Sequence, residues 1–329
     1  MNVIDKPLTE NLKIPQLGAR PEVDVAADLA PRETDSNSWL TIGHFEADGH
    51  TLDYMFQLLA VAIPGIGNQY ASIISVTDET TGFYYSQAEI YPASEVEVAE
   101  GRLDISVPNG YLGGDWDKMQ IRREAPGIVL DTEVAALGYP IYSKTTGRFP
   151  MLGTTMHHFD VPYMRTTGAL TIEGRRYDVT GRGYTWFDRG WQNANPDPGA
   201  NIKISWMGIC LDNGEAISVY DSDVPGYEES WAMVLHPDGS QAFTLTEPLD
   251  ASDFWHSERS GQYYPAHWVT RIPEHDAVLD ITPVPREQEV VSPVPMLHRY
   301  QGGGVVTGVW GGQEVKGYAC AYLLGRWPR

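Results

Sequence analysis

"IKISWMGICLDNGEAISVY", residues 202–220, reads as a single β-hairpin. Ile202, Ile204 and Trp206 alternate with Lys203 and Ser205, so in an extended segment their side chains share one face. "DNG" at 212–214 is the turn chemistry that folds an antiparallel partner straight back, and "AISVY" supplies the partner. The pattern recurs on either side. "LTIGHFEADGHTLDYMFQLLAV" pairs two apolar runs across "EADGH", and "GALTIEG" with "RRYDVTG" turns at Glu173 and Gly174. Amphipathic helical periodicity is scarce, while 33 glycines and 23 prolines punctuate short segments. The reading is an all-β protein.

Two hairpins resemble each other. "TGALTIEGRRYDVTG" at 167–181 aligns without gaps on "GGVVTGVWGGQEVKG" at 303–317, so that Gly168, Thr171, Val179 and Gly181 fall on Gly304, Thr307, Val315 and Gly317. Each ends in a glycine followed by an aromatic-rich strand. A duplicated architecture follows, with two barrel-like halves joined near "NANPDPGAN" at 193–201. The expected division is an extended N-terminal arm over 1–37, laid on the surface, a first β domain over 38–195 carrying the ligand pocket, and a second over 196–329.

Composition narrows the partners. With 23 Lys+Arg against 44 Asp+Glu, the formal net charge of −21 opposes DNA, RNA and anionic membranes, which are bound through clustered cations. The N-terminus lacks the basic start and apolar run of a signal peptide, and no stretch approaches the ~20 apolar residues of a membrane span, so a cytoplasmic protein without membrane insertion is expected. The two cysteines, Cys210 and Cys320, lie in hydrophobic strands and suggest buried thiols. Among the nine histidines no metal-ligand spacing appears, nor does any nucleotide fingerprint, so neither metal nor organic cofactor is expected. Ten Trp, 18 Tyr and 8 Phe exceed what a core alone requires, and an aromatic-lined cavity for a hydrophobic small molecule is the ordinary place for such a surplus. Oligomeric state is left open, a homodimer included.

"SWLTIGHF", "GGDW", "GYTWFDRGWQ", "SGQYYPAHWVTRIP" with "LDITPVPREQE", and "RYQGGGVVTGVWGGQEVKGYA" follow the order of motifs in the carotenoid 1,2-hydratase/AttH-like family. That group includes kievitone hydratase and the lipocalin-like fungal Diels–Alderases. The resemblance runs from about Ser38 to the end of the chain. It implies two lipocalin-like β-barrel domains, with a pocket in or beside the first, and chemistry on isoprenoid- or polyketide-like molecules without a cofactor. The chain departs from the family pattern at Gly190, at Gln301 and Gly302, and at Cys320, where the family carries carboxylates or an aromatic.

Asp188, in "TWFDRGW", is the foremost candidate for catalysis. Adding water to an alkene, or isomerising it, needs an acid able to protonate carbon, and a carboxylic acid kept neutral among aromatic walls can serve. Trp186 shares its strand face, while Phe187 and Arg189 share the other. The structural alternative is an ion pair of Asp188 with Arg189 or Arg182. "MHHFDVPYM" at 156–164 offers His158 as base or positioning group and Tyr163 as hydrogen-bond donor, and His157 and His158 must point to opposite faces. Trp186, Trp191, Trp39, Trp116, His44 and Tyr54 are the expected substrate-binding residues. Three functions fit: acid-assisted hydration, dehydration, isomerisation or cyclisation; pericyclic ring closure by confinement; or ligand binding without catalysis. A buried carboxyl at the cavity favours the first, and a wholly apolar pocket the last.

Overall fold

The computed structural model describes residues 20–63, 65–193, 202–224, 227–325 and 327. The joint expected at 193–201 falls almost wholly outside them. Strands account for most of the described chain, and helix is confined to short 3-10 turns such as Ala27–Leu29. The turns follow the sequence chemistry. Asp48 and Gly49 both take positive φ (50° and 80°) between the strands Ser36–Ala47 and His50–Ile63, as do Glu173 and Gly174 (48° and 83°) between Thr154–Ile172 and Arg175–Gln192. Two consecutive residues with positive φ form the tight turn whose twist matches that of paired strands.

The strands form two large antiparallel sheets, curled as lipocalin-like half-barrels, with 13 strands in the first and 10 in the second. Their orders correspond. In the first, the opening strand Ser36–Ala47 lies between its hairpin partner His50–Ile63 and the closing strand Arg175–Gln192, which pairs in turn with Thr154–Ile172. In the second, Lys203–Leu211 lies between Ala216–Val224 and Gln313–Gly325, which pairs with Arg299–Trp310. The two matching hairpins therefore occupy corresponding places. Gly168 and Gly304 each press against the backbone of the next strand, at Thr132 and Pro283, where a Cβ would stand 2.8 and 2.9 Å from the Cα. The shared glycine marks a close strand approach.

Burial divides into three principal clusters. One fills the first sheet with Trp39, Tyr54, Phe56, Trp116, Phe187 and Trp191, among others. A second fills the other sheet around Trp268 and Tyr300. The third lies between the sheets, where Leu40, Ile42 and Trp186 meet Ile204, Trp206, Tyr220 and Trp231. The first sheet is pulled round by Arg123, whose buried guanidinium joins the Met119–Ala125 strand to Glu89 (3.0 Å) and Gln87 (3.2 Å) on the distant Phe83–Pro92 strand. Polar contacts also cross the seam. Tyr84 donates to the Gln301 carbonyl at 2.8 Å, Ser86 to that of Glu289 at 2.7 Å, and Gln241 to that of Pro140 at 2.7 Å.

The described part of the N-terminal arm keeps an exposed side, with Glu22, Asp24, Ala26 and Arg32 at the surface, but its other side is anchored inward. Val23, Val25 and Leu29 insert into the core of the first sheet, and the indole N–H groups of Trp39 and Trp116 donate to the carbonyls of Leu29 (2.9 Å) and Val25 (3.0 Å). The arm is a plug because a curled sheet leaves an open apolar end, and three aliphatic side chains close it at little polar expense. Among the described residues, no helix is long and apolar enough to cross a membrane.

Candidate active site

Asp188 and Asp160 are directly opposed on the two strands of the longest hairpin, with Leu40 opposite Asp188 on the other side. Like charges facing each other across an antiparallel pair repel, so the arrangement demands a compensating proton or cation. His158 supplies one. Two residues before Asp160 on the same strand, it projects to the same face, and its Nε2 lies 2.8 Å from Asp188 Oδ2 and 3.9 Å from Asp160 Oδ1. Its Nδ1 lies 2.7 Å from the Ser143 hydroxyl, and the Tyr220 hydroxyl lies 3.2 Å from Nε2. Both ring nitrogens thus face oxygen, which suits the doubly protonated ring. Burial alone would lower the His158 pKa, but the facing Asp188 and Asp160 outweigh it and push it up to about 8.

Asp160 is fully buried. Its Oδ1 accepts the Trp186 indole N–H at 2.9 Å, while Oδ2 has no hydrogen-bond partner. Desolvation, reinforced by the charge of Asp188 and opposed by His158, raises its pKa well above the usual carboxylate range. The Asp188 side chain keeps 13% of its surface exposed, against 1% for His158 and none for Asp160. It is therefore the member of the trio that reaches accessible space. The walls are aromatic. Tyr220 stacks on Trp231 (4.5 Å between ring centroids), Phe149 meets both edge-on, and Trp186 meets Trp206 at 5.8 Å. Gly208 makes this contact possible, because a Cβ there would stand 2.9 Å from Cys320 Sγ and 3.2 Å from the Trp186 ring.

Strand parity holds as expected: Trp186 and Asp188 share one side, and Phe187 the other. That side faces the seam between the sheets, and residues of both sheets build the site. Arg189 turns the opposite way and does not pair with Asp188. Its guanidinium lies 4.4 Å from the Trp39 ring and 4.8 Å from that of Trp191, and donates to the carbonyls of Asp28, Ala30, Ser38 and Gly190 and to Asn37 Oδ1. It holds the arm in the sheet. The side chain of Arg182 lies outside what the structure describes.

The remaining candidates are distributed. Trp39, Trp116 and Trp191 belong to the plugged core, with His157 stacked on Trp191, while Tyr54 donates to or accepts from Thr185 at 2.7 Å in the same interior. Tyr163 lies in the seam but gives its hydroxyl proton to the Gly214 carbonyl at 3.2 Å. His44 stacks on Tyr318 and bonds Asp53, and it lines a cavity that includes none of His158, Asp160 and Asp188. Among the positions that depart from the family pattern, Gly190 stands opposite His158, where a Cβ would stand 2.8 Å from the Met156 methyl. Cys320 donates to the Gly208 carbonyl behind the site.

Sequence reasoning missed Asp160, Ser143 and Tyr220. The first had a signal: "HFD" repeats at 158–160 the i, i+2 spacing of "WFD" at 186–188, so two polar side chains had to share a face. Tyr220 and Ser143 come from distant segments and carry no local mark. Donor atoms within 4.8 Å of one another, as a metal ion needs, occur in the His158, Asp160, Asp188 trio and in His44, Asp53, Glu79. In the first trio His158 is bonded to Asp188 and Tyr220, and Trp186 holds Asp160, an arrangement suited to moving protons.

Known proteins bear on this geometry. The AttH-like family model matches residues 19–320. The chain is 22% identical over 273 residues to the dehydratase asqC of Emericella nidulans, covering 79% of this chain and 77% of that protein. Kievitone hydratase from Nectria haematococca superposes with a TM-score of 0.82 at 17% identity over 98% of both chains. A putative AttH from Nitrosomonas europaea gives 0.78 at 18% identity, over 93% of this chain and 97% of that one. At such identities the superpositions speak for the fold.

Proposed function

The chain belongs to the AttH-like family, and within it we propose that this member is a cofactor-independent lyase that removes water from, or adds it to, a hydrophobic small molecule at the seam between its sheets. The observation that carries the reading is the contact of His158 with Asp188 inside an aromatic cage, backed by a buried Asp160 whose pKa is raised by desolvation. The dehydratase and hydratase named among its relatives support the reaction type. A binding protein would need only apolar walls, and three ionisable groups buried together have a cost that binding does not require. Pericyclic closure would need positioning alone.

In dehydration, a proton passes from His158 Nε2 to Asp188, and Asp188 protonates the departing hydroxyl. The C–O bond breaks and water leaves. The carbon next to it then loses its proton to the His158–Asp188 pair, the C=C bond forms, and the pair regains its starting charge. Hydration is the reverse. Positive charge developing on carbon meets the faces of Trp186, Trp206 and Tyr220, which stabilise cations. Tyr220 and Ser143 hold the imidazole in place, and Asp160 fixes Trp186 through the indole N–H. The test is incubation of the protein with a hydrophobic metabolite extract in heavy-oxygen water, followed by mass spectrometry. The proposal expects enzyme-dependent pairs of compounds differing by one water, with label entering the hydrated member. Cyclised isomers of unchanged mass without label would point to pericyclic chemistry instead.

A further inference from the structure

At the other end of the seam, His44 and Asp53 face each other in register on the first hairpin, with Nδ1 2.6 Å from Oδ1. Glu79 follows the next strand, Gly67–Asp78, where its backbone N–H donates to the Thr51 carbonyl at 3.0 Å. One donor atom from each of the three lies within 4.8 Å of the others. The ligand set comes from three neighbouring strands, which is why no sequence motif announces it.

Two further features point to an occupant. Asp53 is 6% exposed, and its Oδ2 is buried without a hydrogen-bond partner; Glu79 Oε1 is in the same condition. Oxygens stranded in this way are costly unless a proton or cation serves them. The ring of His44 is also held flat against Tyr318, 4.0 Å between centroids and 14° between planes, which fixes the direction of its nitrogens. Beside the cluster lies a cavity of about 300 Å³, lined by His44, Glu79, Thr51, Lys316 and Tyr318 among others. An ion held there would keep coordination positions open to that space.

We propose that His44, Asp53 and Glu79 hold a divalent transition-metal ion, with its remaining positions open to the adjoining cavity. One imidazole and two carboxylates suit Zn²⁺ or Mn²⁺, and three protein ligands with an open fourth place are the usual form of a reactive site. The Asp53 carboxylate also packs over Gly303, where a Cβ would stand 2.8 Å from Oδ2, so glycine there leaves room for it.

The site is distinct from the His158 trio and does not depend on the proposed reaction. The experiment is calorimetric titration of the metal-stripped full-length protein with ZnCl₂ and, separately, MnCl₂, with Glu79→Gln, Asp53→Asn and Asp188→Asn in parallel and melting temperatures as folding controls. The expected result is one equivalent bound by the wild type, weakened by about a hundredfold or more in Glu79→Gln and Asp53→Asn, and unchanged in Asp188→Asn. Anomalous diffraction from metal-soaked wild-type crystals should place the ion between His44 and Glu79, whatever the variants do. Absence of binding to the wild type at millimolar metal, or binding lost in Asp188→Asn and kept in Glu79→Gln, overturns the proposal.

Discussion

Replacing Asp188 with Asn keeps the shape of the side chain and removes its charge 2.8 Å from His158 Nε2. Against His158 the variant leaves burial, which lowers the pKa, and Asp160, whose own pKa is raised. The His158 pKa, about 8 against an ordinary 6.5, should therefore fall to 6.5 or lower. At about 1.4 kcal/mol per pKa unit, the wild-type elevation corresponds to roughly 2 kcal/mol. The sign follows from linkage. A pKa raised on folding adds stability that is complete below 6.5 and is lost as pH rises through 8. The stability advantage this interaction gives the wild type over Asp188→Asn should accordingly shrink by about 2 kcal/mol between slightly acid and alkaline pH. The assay is NMR titration of isotope-labelled histidine, with the His158 resonance assigned by its loss in His158→Gln and denaturant unfolding run across the same range. A wild-type His158 pKa below 6.5, or one that Asp188→Asn leaves unmoved, would refute the reasoning.

Three further outcomes follow from the same geometry. Arg189→Met should strand the carbonyls of Asp28 and Ala30 and cost about 3 kcal/mol, with the chain near residues 20–35 becoming sensitive to limited proteolysis; an unchanged denaturation midpoint would contradict this. Asp160→Asn should remove the loss of stability that the wild type suffers as pH rises from the carboxylate range towards neutrality, because a carboxyl with a raised pKa holds its proton longer when folded than when unfolded; parallel unfolding curves of the two proteins against pH would contradict it. Gly208→Ala should wedge Cys320, Trp206 and Trp186 apart and cost about 1–3 kcal/mol in denaturant unfolding, whereas a neutral substitution would mean that the seam is loosely packed there.

The fold was legible because its signals are local. Period-two alternation and turns such as "DG" and "EG" state strands and hairpins directly, and the glycines common to the two halves mark close strand approaches imposed by the sheets themselves. The site was legible only as far as parity reaches. Parity places Trp186 and Asp188 on one side of a strand but does not say what that side faces, since this depends on how two sheets pack. Arg189 shows the same limit: its neighbour in sequence suggested an ion pair, while its partners are carbonyls of an arm more than 150 residues away in the chain. Tyr220 reaches His158 from the second sheet, and Glu79 reaches His44 from two strands away. Such encounters are made by tertiary packing, and no spacing in the sequence records them.

The central claim is that Asp188, coupled to His158, transfers the proton. Once a substrate pair differing by one water is in hand, the most direct measurement is single-turnover kinetics of Asp188→Asn beside the wild type, with ligand affinity and melting temperature taken on the same preparations. General acid–base work accounts for ~10²–10⁴ in rate, so a loss of that size with affinity and folding preserved is predicted. Near-wild-type turnover in a folded, ligand-binding Asp188→Asn would contradict it.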